Sequence, residues 1–191
     1  MVEERKEEYR RKLPHIVPAN AVFFITYRIA GSLPLSIINK YQIDKKTKEI
    51  PPKYFEIIED YLDTQKGILT KKEIVKIIEE SLWYYNDKYY KLIAFCIMPN
   101  HVHLLINTNN FPYKNLFSIM KLIKGVSSNK INKRIGKKGQ FWQHKSYDRM
   151  VRDRNELGNI IDYILNNPVK AKLVNNWKEW NYTYIDENYC E

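Results

Sequence analysis

MPNHVHLLI, residues 98–106, decides how the rest of the chain is read. Pro99 and Asn100 mark a turn, and the run that follows is apolar except for two histidines on either side of one valine. Upstream, KYYKLIAFCIM (88–98) has the aromatic and branched residues of a strand, so with HVHLLINT (101–108) it predicts a hairpin closed by Pro99-Asn100. Side chains two apart on a strand share a face. His101 and His103 therefore project side by side, which offers two imidazoles to one metal ion. Two ligands do not make a site, so a third has to come from elsewhere.

Working outward, AVFFITYRIAG (21–31) reads as another strand, bounded by Pro18 and by Gly31 to Pro34. Two helical patterns follow. PPKYFEIIEDYLD (51–63) opens on prolines suited to a helix start. TKKEIVKIIEESLWYYND (70–87) has Thr70 and Glu73 at capping-box spacing, then Ile74, Ile77, Ile78 and Leu82 on one stripe. Beyond the hairpin, 113–136 is an amphipathic helix with Gly125 as its weak point. GQFWQHKSYDRMVR (139–152) is mostly extended, and NELGNIIDYILNN (155–167) is a helix ended by Pro168; residues 176–191 form an irregular tail. Without one extra helix the order is β-α-β-β-α-β, an α+β ferredoxin-like antiparallel sheet with helices on one face. The length suits one domain over 1–191, with a core of about 17–175 and a helical insertion of about 35–87.

The formal charge is +10, and its placement matters more than its size. Between Tyr113 and Arg154 stand twelve Lys and Arg against only Asp148 and Asp153, so this segment carries the whole excess. One-signed clustering over some forty residues points to a polyanion partner. Two cysteines, Cys96 and Cys190, make neither a disulfide framework nor a zinc pattern, which fits a reducing cytoplasm. The charged N-terminal stretch has no apolar signal region, and no run is long enough to span a membrane. The chain is expected to be soluble and cytoplasmic.

Two places can complete the histidine pair. His144 in FWQHKSY is one. The other is YILNN, where Tyr163 and Asn167 are four apart on one helix face, so that an amide oxygen and a phenol reach the same point; the plainer alternative makes Tyr163 a core aromatic and Asn167 a cap before Pro168.

Taken together, FCIMPNHVHLLI, GQFWQHKSYDRMVRD and YILNNPVKAKLV resemble, in order and spacing, the REP-associated tyrosine transposases of the His-hydrophobic-His endonuclease superfamily. That resemblance implies the ferredoxin-like fold and a DNA nicking and joining reaction on hairpin-forming single-stranded DNA. It implies His101, His103 and Asn167 as ligands of a divalent metal, Mg²⁺ or Mn²⁺, and Tyr163 as the nucleophile that forms a 5′-phosphotyrosine link. His144 falls outside the metal motif and becomes a DNA contact or a structural residue. The DNA-binding set expected here is Arg28, Lys121, Lys124, Lys130, Lys133, Arg134, Lys137, Lys138, Trp142, His144, Lys145, Arg149, Arg152 and Arg154. Relatives commonly carry His where this chain has Arg149. A monomer is expected rather than a dimer that exchanges its tyrosine helix. Two other readings stay open: a hairpin-binding protein without cleavage, and a metal-dependent nuclease that activates water.

Overall fold

The computed structural model describes residues 8–10, 14–16, 21–109, 111 and 115–189. The first helical residues expected at 113 and 114, and Cys190, lie outside them. Strands β1 (Glu8–Arg10) and β2 (Pro14–Ile16) pair antiparallel by themselves. The body of the protein follows as β3 (Val22–Arg28), α1 (Leu35–Lys40), α2 (Phe55–Asp63), α3 (Lys72–Tyr85), β4 (Lys91–Ile97), β5 (His101–Asn107), α4 (Leu116–Ile135), β6 (Tyr147–Met150), α5 (Arg154–Lys170) and β7 (Thr183–Ile185). The sheet order is β6-β3-β5-β4-β7, and each neighbouring pair is antiparallel. Its first four strands have the β-α-β-β-α-β order expected from the sequence. β7 extends that sheet along β4, in the segment expected to be irregular: Thr183, Tyr184 and Ile185 pair with Cys96, Phe95 and Ala94.

Helices cover both faces of the sheet, a correction to the expected single helical layer. α3 and α4 pack Ile74, Ile78, Leu82, Ile119 and Ile123 onto Phe23, Ile25, Val102, Leu104 and Ile106. α5 packs Ile160, Ile161, Ile164 and Leu165 onto Phe24, Ala94, Cys96 and Leu105. The cause is visible in β3 and β5, whose residues are buried on both faces almost without exception. A strand wet on one side would alternate apolar with polar residues; VFFITYR does not. α2 contributes Phe55 to the α5 side, while its Ile58 and Leu62 join Leu33, Ile38, Ile43 and Ile50 in a small separate core. The piece added to the minimal fold is thus the α1–α2 segment, and α3 belongs to the main core.

Three local details depart from the pattern reading. α3 starts at Lys72 with no side-chain cap, so the Thr70–Glu73 box does not form. α4 runs unbroken through Gly125, from an Asn115 cap that accepts from the Ser118 amide to a left-handed Gly136. α5 continues past Pro168 to Lys170. A proline in a helix removes one donor and crowds the previous turn, and here the apolar seat of Ile164 and Leu165 holds the helix through it.

The turn ahead of the histidines is closed by Met98 N–H donating to His101 O at 2.9 Å. Behind it sits Gly67, where an added Cβ would lie 1.8 Å from Pro99 O and 2.4 Å from Pro99 C. Backbone cannot yield as a flexible side chain does. Gly67→Ala is expected to lower stability by about 1–3 kcal/mol, read as a lower Tm in thermal unfolding; an unchanged Tm would mean that the Pro99 turn is freer than this packing indicates.

Candidate active site

β3 and β5 run in register so that Thr26 faces His103 and Arg28 faces His101. The two imidazoles sit on the same sheet face, fully buried, under α5 on one side and α2 on the other. Their Nε2 atoms are 3.0 Å apart. His101 Nδ1 lies 2.7 Å from Asn100 Oδ1. The Asn100 amide nitrogen donates to Leu62 O at 2.8 Å and Gln65 O at 3.1 Å, which turns its oxygen to the ring. His101 therefore carries its proton on Nδ1 and presents a lone pair at Nε2. His103 Nδ1 is held by Thr26 Oγ1 at 2.9 Å.

Into the gap between the two rings comes α2. Glu59 Oε2 lies 3.3 Å from His103 Nε2 and 3.7 Å from His101 Nε2, and Asp63 Oδ1 lies 3.6 Å from His101 Nε2. These are not ion pairs in the ordinary sense. Burial, then the charge of Arg28, lowers the His101 pKa to about 3, and burial with His101 beside it holds His103 well below the usual histidine range. Burial raises Glu59 well above the usual carboxylate range, with Asp63 adding to the effect, and burial raises Asp63 to about 7. Neutral imidazoles and carboxylates that resist ionisation are what a site looks like when its charges await a cation.

The donor set fits a divalent metal. Glu59, His101 and His103 each offer one ligand atom, and these atoms all lie within 4.8 Å of one another. Both carboxylate oxygens of Glu59 and of Asp63, and both amide atoms of Asn167, are buried without a hydrogen-bond partner. A cation about 2.1 Å from its ligands places neighbouring ligand atoms about 3.0 to 3.4 Å apart; the two imidazole nitrogens and the Glu59–His103 pair have that spacing, and Glu59–His101 is slightly wider at 3.7 Å. Buried polar atoms are seldom left unsatisfied, and one ion would satisfy several of these at once.

Tyr163 lies at the edge of this cluster. Its ring meets His103 edge-on at 5.3 Å and Phe24 at 5.8 Å, and its buried hydroxyl has no hydrogen-bond partner. Burial, then the carboxylates of Glu59 and Asp63, raises the phenol pKa far above its ordinary value. One turn on, Asn167 is near enough to influence both Tyr163 and His103. The four residues singled out from sequence thus come together.

Glu59 and Asp63 were missed by sequence reading. Their only signal was position: in FEIIEDYLD each directly follows a buried apolar residue, Ile58 or Leu62, on the helix. Metal-free protein should reveal Asp63 directly. Unfolded Asp63 ionises near 3.8 and folded Asp63 only near 7, so its contribution is full below pH 4 and is lost as pH rises to 7. Asp63→Asn is therefore expected to stabilise the metal-free protein at pH 8 by about 2 kcal/mol, after allowance for the solvent at its outer edge, and to have little effect at pH 4. Urea unfolding at the two pH values checks this; equal effects would deny the raised carboxyl.

Three of the residues expected to contact DNA have their side chains engaged within the protein. Arg28 is buried, donates to Ser32 Oγ and Lys48 O, and has its pKa lowered to about 10, by burial first. Trp142 is buried against Tyr27 and donates to Ser127 Oγ. Lys124 donates to Gln143 O, His144 O and Ser146 Oγ, and burial lowers its pKa to about 8. Each of these side chains spends its donors inside the protein. Lys121, Lys130, Lys133, Arg134, Lys137, Lys138, His144, Arg149, Arg152 and Arg154 are exposed, and Lys145 is half-buried; Lys130 pairs with Glu80, and Arg149 with Glu156. α4 lies on the sheet face opposite the histidines. The loop after it returns to their end of the sheet, where Gln143 N–H donates to Arg28 O beside His101. Among the described residues no helix is long and apolar enough to cross a membrane.

A family model described as "Transposase IS200 like" matches residues 61–167. A Haemophilus influenzae protein assigned as a REP-associated tyrosine transposase is 30% identical over 102 residues, 49% of this chain and 58% of that one. The chain therefore matches somewhat under two thirds of that relative's length, and the likeness read from the three motifs is borne out. A solved structure of a REP-associated tyrosine transposase bound to a REP hairpin shares the fold, with a TM-score of 0.54 at 14% identity over 96% of this chain and 82% of that one. The matched region spans more than half of the protein and contains the histidine pair of the central strand and the tyrosine that reaches it from α5. The chain belongs to the IS200-like transposase family.

Proposed function

We propose that the protein is a metal-dependent single-strand DNA endonuclease and strand transferase that acts on hairpin-forming, REP-like DNA through a 5′-phosphotyrosine intermediate. The observation that carries this reading is the meeting of an unpartnered Tyr163 hydroxyl with the buried cluster of His101, His103 and Glu59. A protein that only bound hairpins would have no use for three neutral or unsatisfied ligands beside a phenol.

His101 and His103 hold the ion, with Glu59 or Asn167 supplying an oxygen ligand. When bound, the divalent metal supplies a positive charge that polarises the scissile phosphate and stabilises the charge developing on it. Asn100 and Thr26 fix the two rings, so that both Nε2 atoms stay aimed at one point. Phe24 and His103 hold the Tyr163 ring edge-on beside the histidine pair. The Tyr163 oxygen bonds to phosphorus and gives its proton to water. The bond to the 3′ oxygen breaks, and that oxygen takes a proton to become a free 3′-hydroxyl. The ester retains the bond energy, so the reverse step rejoins strands without a nucleotide cofactor. The exposed Lys137, Lys138, Arg149, Arg152 and Arg154 are suited to the phosphates of the hairpin and its single-stranded foot. Imidazole ligands favour Mn²⁺ over Mg²⁺ in vitro.

The test incubates the protein with a pool of 5′-tailed DNA hairpins and Mn²⁺, followed by denaturing gels. A covalent protein–DNA adduct that disappears with chelator is the expected product. Cleaved DNA without adduct would replace this reading with hydrolysis by activated water.

A further inference from the structure

Resting on that reading, we infer that α2 is an internal phosphate mimic: its carboxylates occupy the positions of the DNA phosphate and must withdraw before the strand can be cut. In this structure His101, His103 and Glu59 have no exposed surface, and the Tyr163 hydroxyl is covered as well. A phosphodiester cannot reach the nucleophile while α2 is seated. The groups that cover the site offer the same kind of oxygen ligand as a phosphate. Glu59 and Asp63 face the histidine pair. Asp60, between them, binds Lys170 Nζ at 2.5 Å.

Lys170 gives the arrangement its second half. Tyr163, Asn167 and Lys170 stand at i, i+4 and i+7, a single stripe of α5, and the ammonium sits 5.8 Å from the Tyr163 ring centre. A cation two turns from the nucleophile and one turn from the amide ligand is suited to a phosphate oxygen of the strand being cut. Here that place is taken by Asp60. Asn167, unpartnered beside His103, is the oxygen ligand left to the ion once Glu59 departs. The module can yield locally. Ile58 and Leu62 are held in its own small core, apart from the sheet, and the seated position is kept by Phe55 between Phe24 and Tyr147, by the two Asn100 bonds to Leu62 O and Gln65 O and by the exposed Asp60–Lys170 pair. DNA entry exchanges Asp60 for phosphate on Lys170, and Glu59 with Asp63 for phosphate at the metal.

Asp60→Asn weakens the latch at an exposed position without touching the histidines, and Lys170→Gln removes the cation. Three readings are made on wild type and both variants: affinity for a fluorescein-labelled pool of 5′-tailed hairpins, amide hydrogen exchange over residues 55–66 with and without that pool, and adduct formation. The expected results are at least threefold tighter binding by Asp60→Asn, at least threefold weaker binding by Lys170→Gln, and faster exchange of residues 55–66 when DNA is added to wild type. Slower or unchanged exchange in α2 on adding DNA, or unchanged affinity in Asp60→Asn, overturns the mimic. Wild-type adduct formed in the same samples while the α2 readings fail overturns the mimic alone, whereas adduct absent from wild type and both variants counts against the transferase reading.

Discussion

Mn²⁺ at about a hundred times its Kd is expected to raise the Tm of the metal-free protein by about 5–10 °C, and His103→Ala should erase the rise. Ligand at that excess stabilises a folded protein by about 2.7 kcal/mol, and each kcal/mol is about 2–4 °C for a domain of this size. The reason for so large a response is the state of the cluster without an ion. Two imidazoles face each other at 3.0 Å, and Glu59 and Asp63 are buried with no hydrogen-bond partner. A cation lets the carboxylates ionise and gives both lone pairs a partner. The difference between metal-loaded and metal-free samples is the quantity to compare, because His103→Ala also leaves a cavity in both. A rise that survives in His103→Ala would place the ion elsewhere, and no rise in wild type would deny the site.

Tyr163→Phe is the second large effect, and it runs opposite to its effect on stability. Adduct formation is expected to fall by at least about 10³-fold, because the lost oxygen is the nucleophile and the Thr26 hydroxyl beside His103 is engaged with the ring's Nδ1. Hairpin affinity should stay within about twofold, since the ring and its contacts with Phe24 and His103 remain. The protein should unfold at the same temperature or slightly higher, because the hydroxyl is buried without a partner and its removal costs no hydrogen bond. Cleavage that persists in Tyr163→Phe would mean that water is the nucleophile.

How the segments read in sequence explains what could be anticipated about each. β5 and α5 were legible because their evidence is local: the two-residue period puts His101 beside His103, and the four-residue period puts Tyr163 above Asn167. The internal contacts of Arg28, Lys124 and Trp142 were not legible, because charge and aromaticity say nothing of burial. Each is drawn inside by neighbours distant in sequence, such as Lys48, Gln143 and Ser127. β7 was missed because three residues are too few for a period to show, and it exists only by pairing with β4.

From sequence alone came the strand order of the ferredoxin-like core, the paired histidines, the tyrosine helix and the basic segment, all set by periodicity and short motifs that act within a few residues. Only tertiary structure decided that helices cover both sheet faces, and that α2 brings Glu59 and Asp63 to the histidines across some forty residues of chain. That approach is set by packing: Phe55 seated between Phe24 and Tyr147, Asn100 tied to the end of α2, and Gly67 pressed against Pro99. Each is a contact between surfaces, and the spacing along the chain carries no record of which surfaces meet.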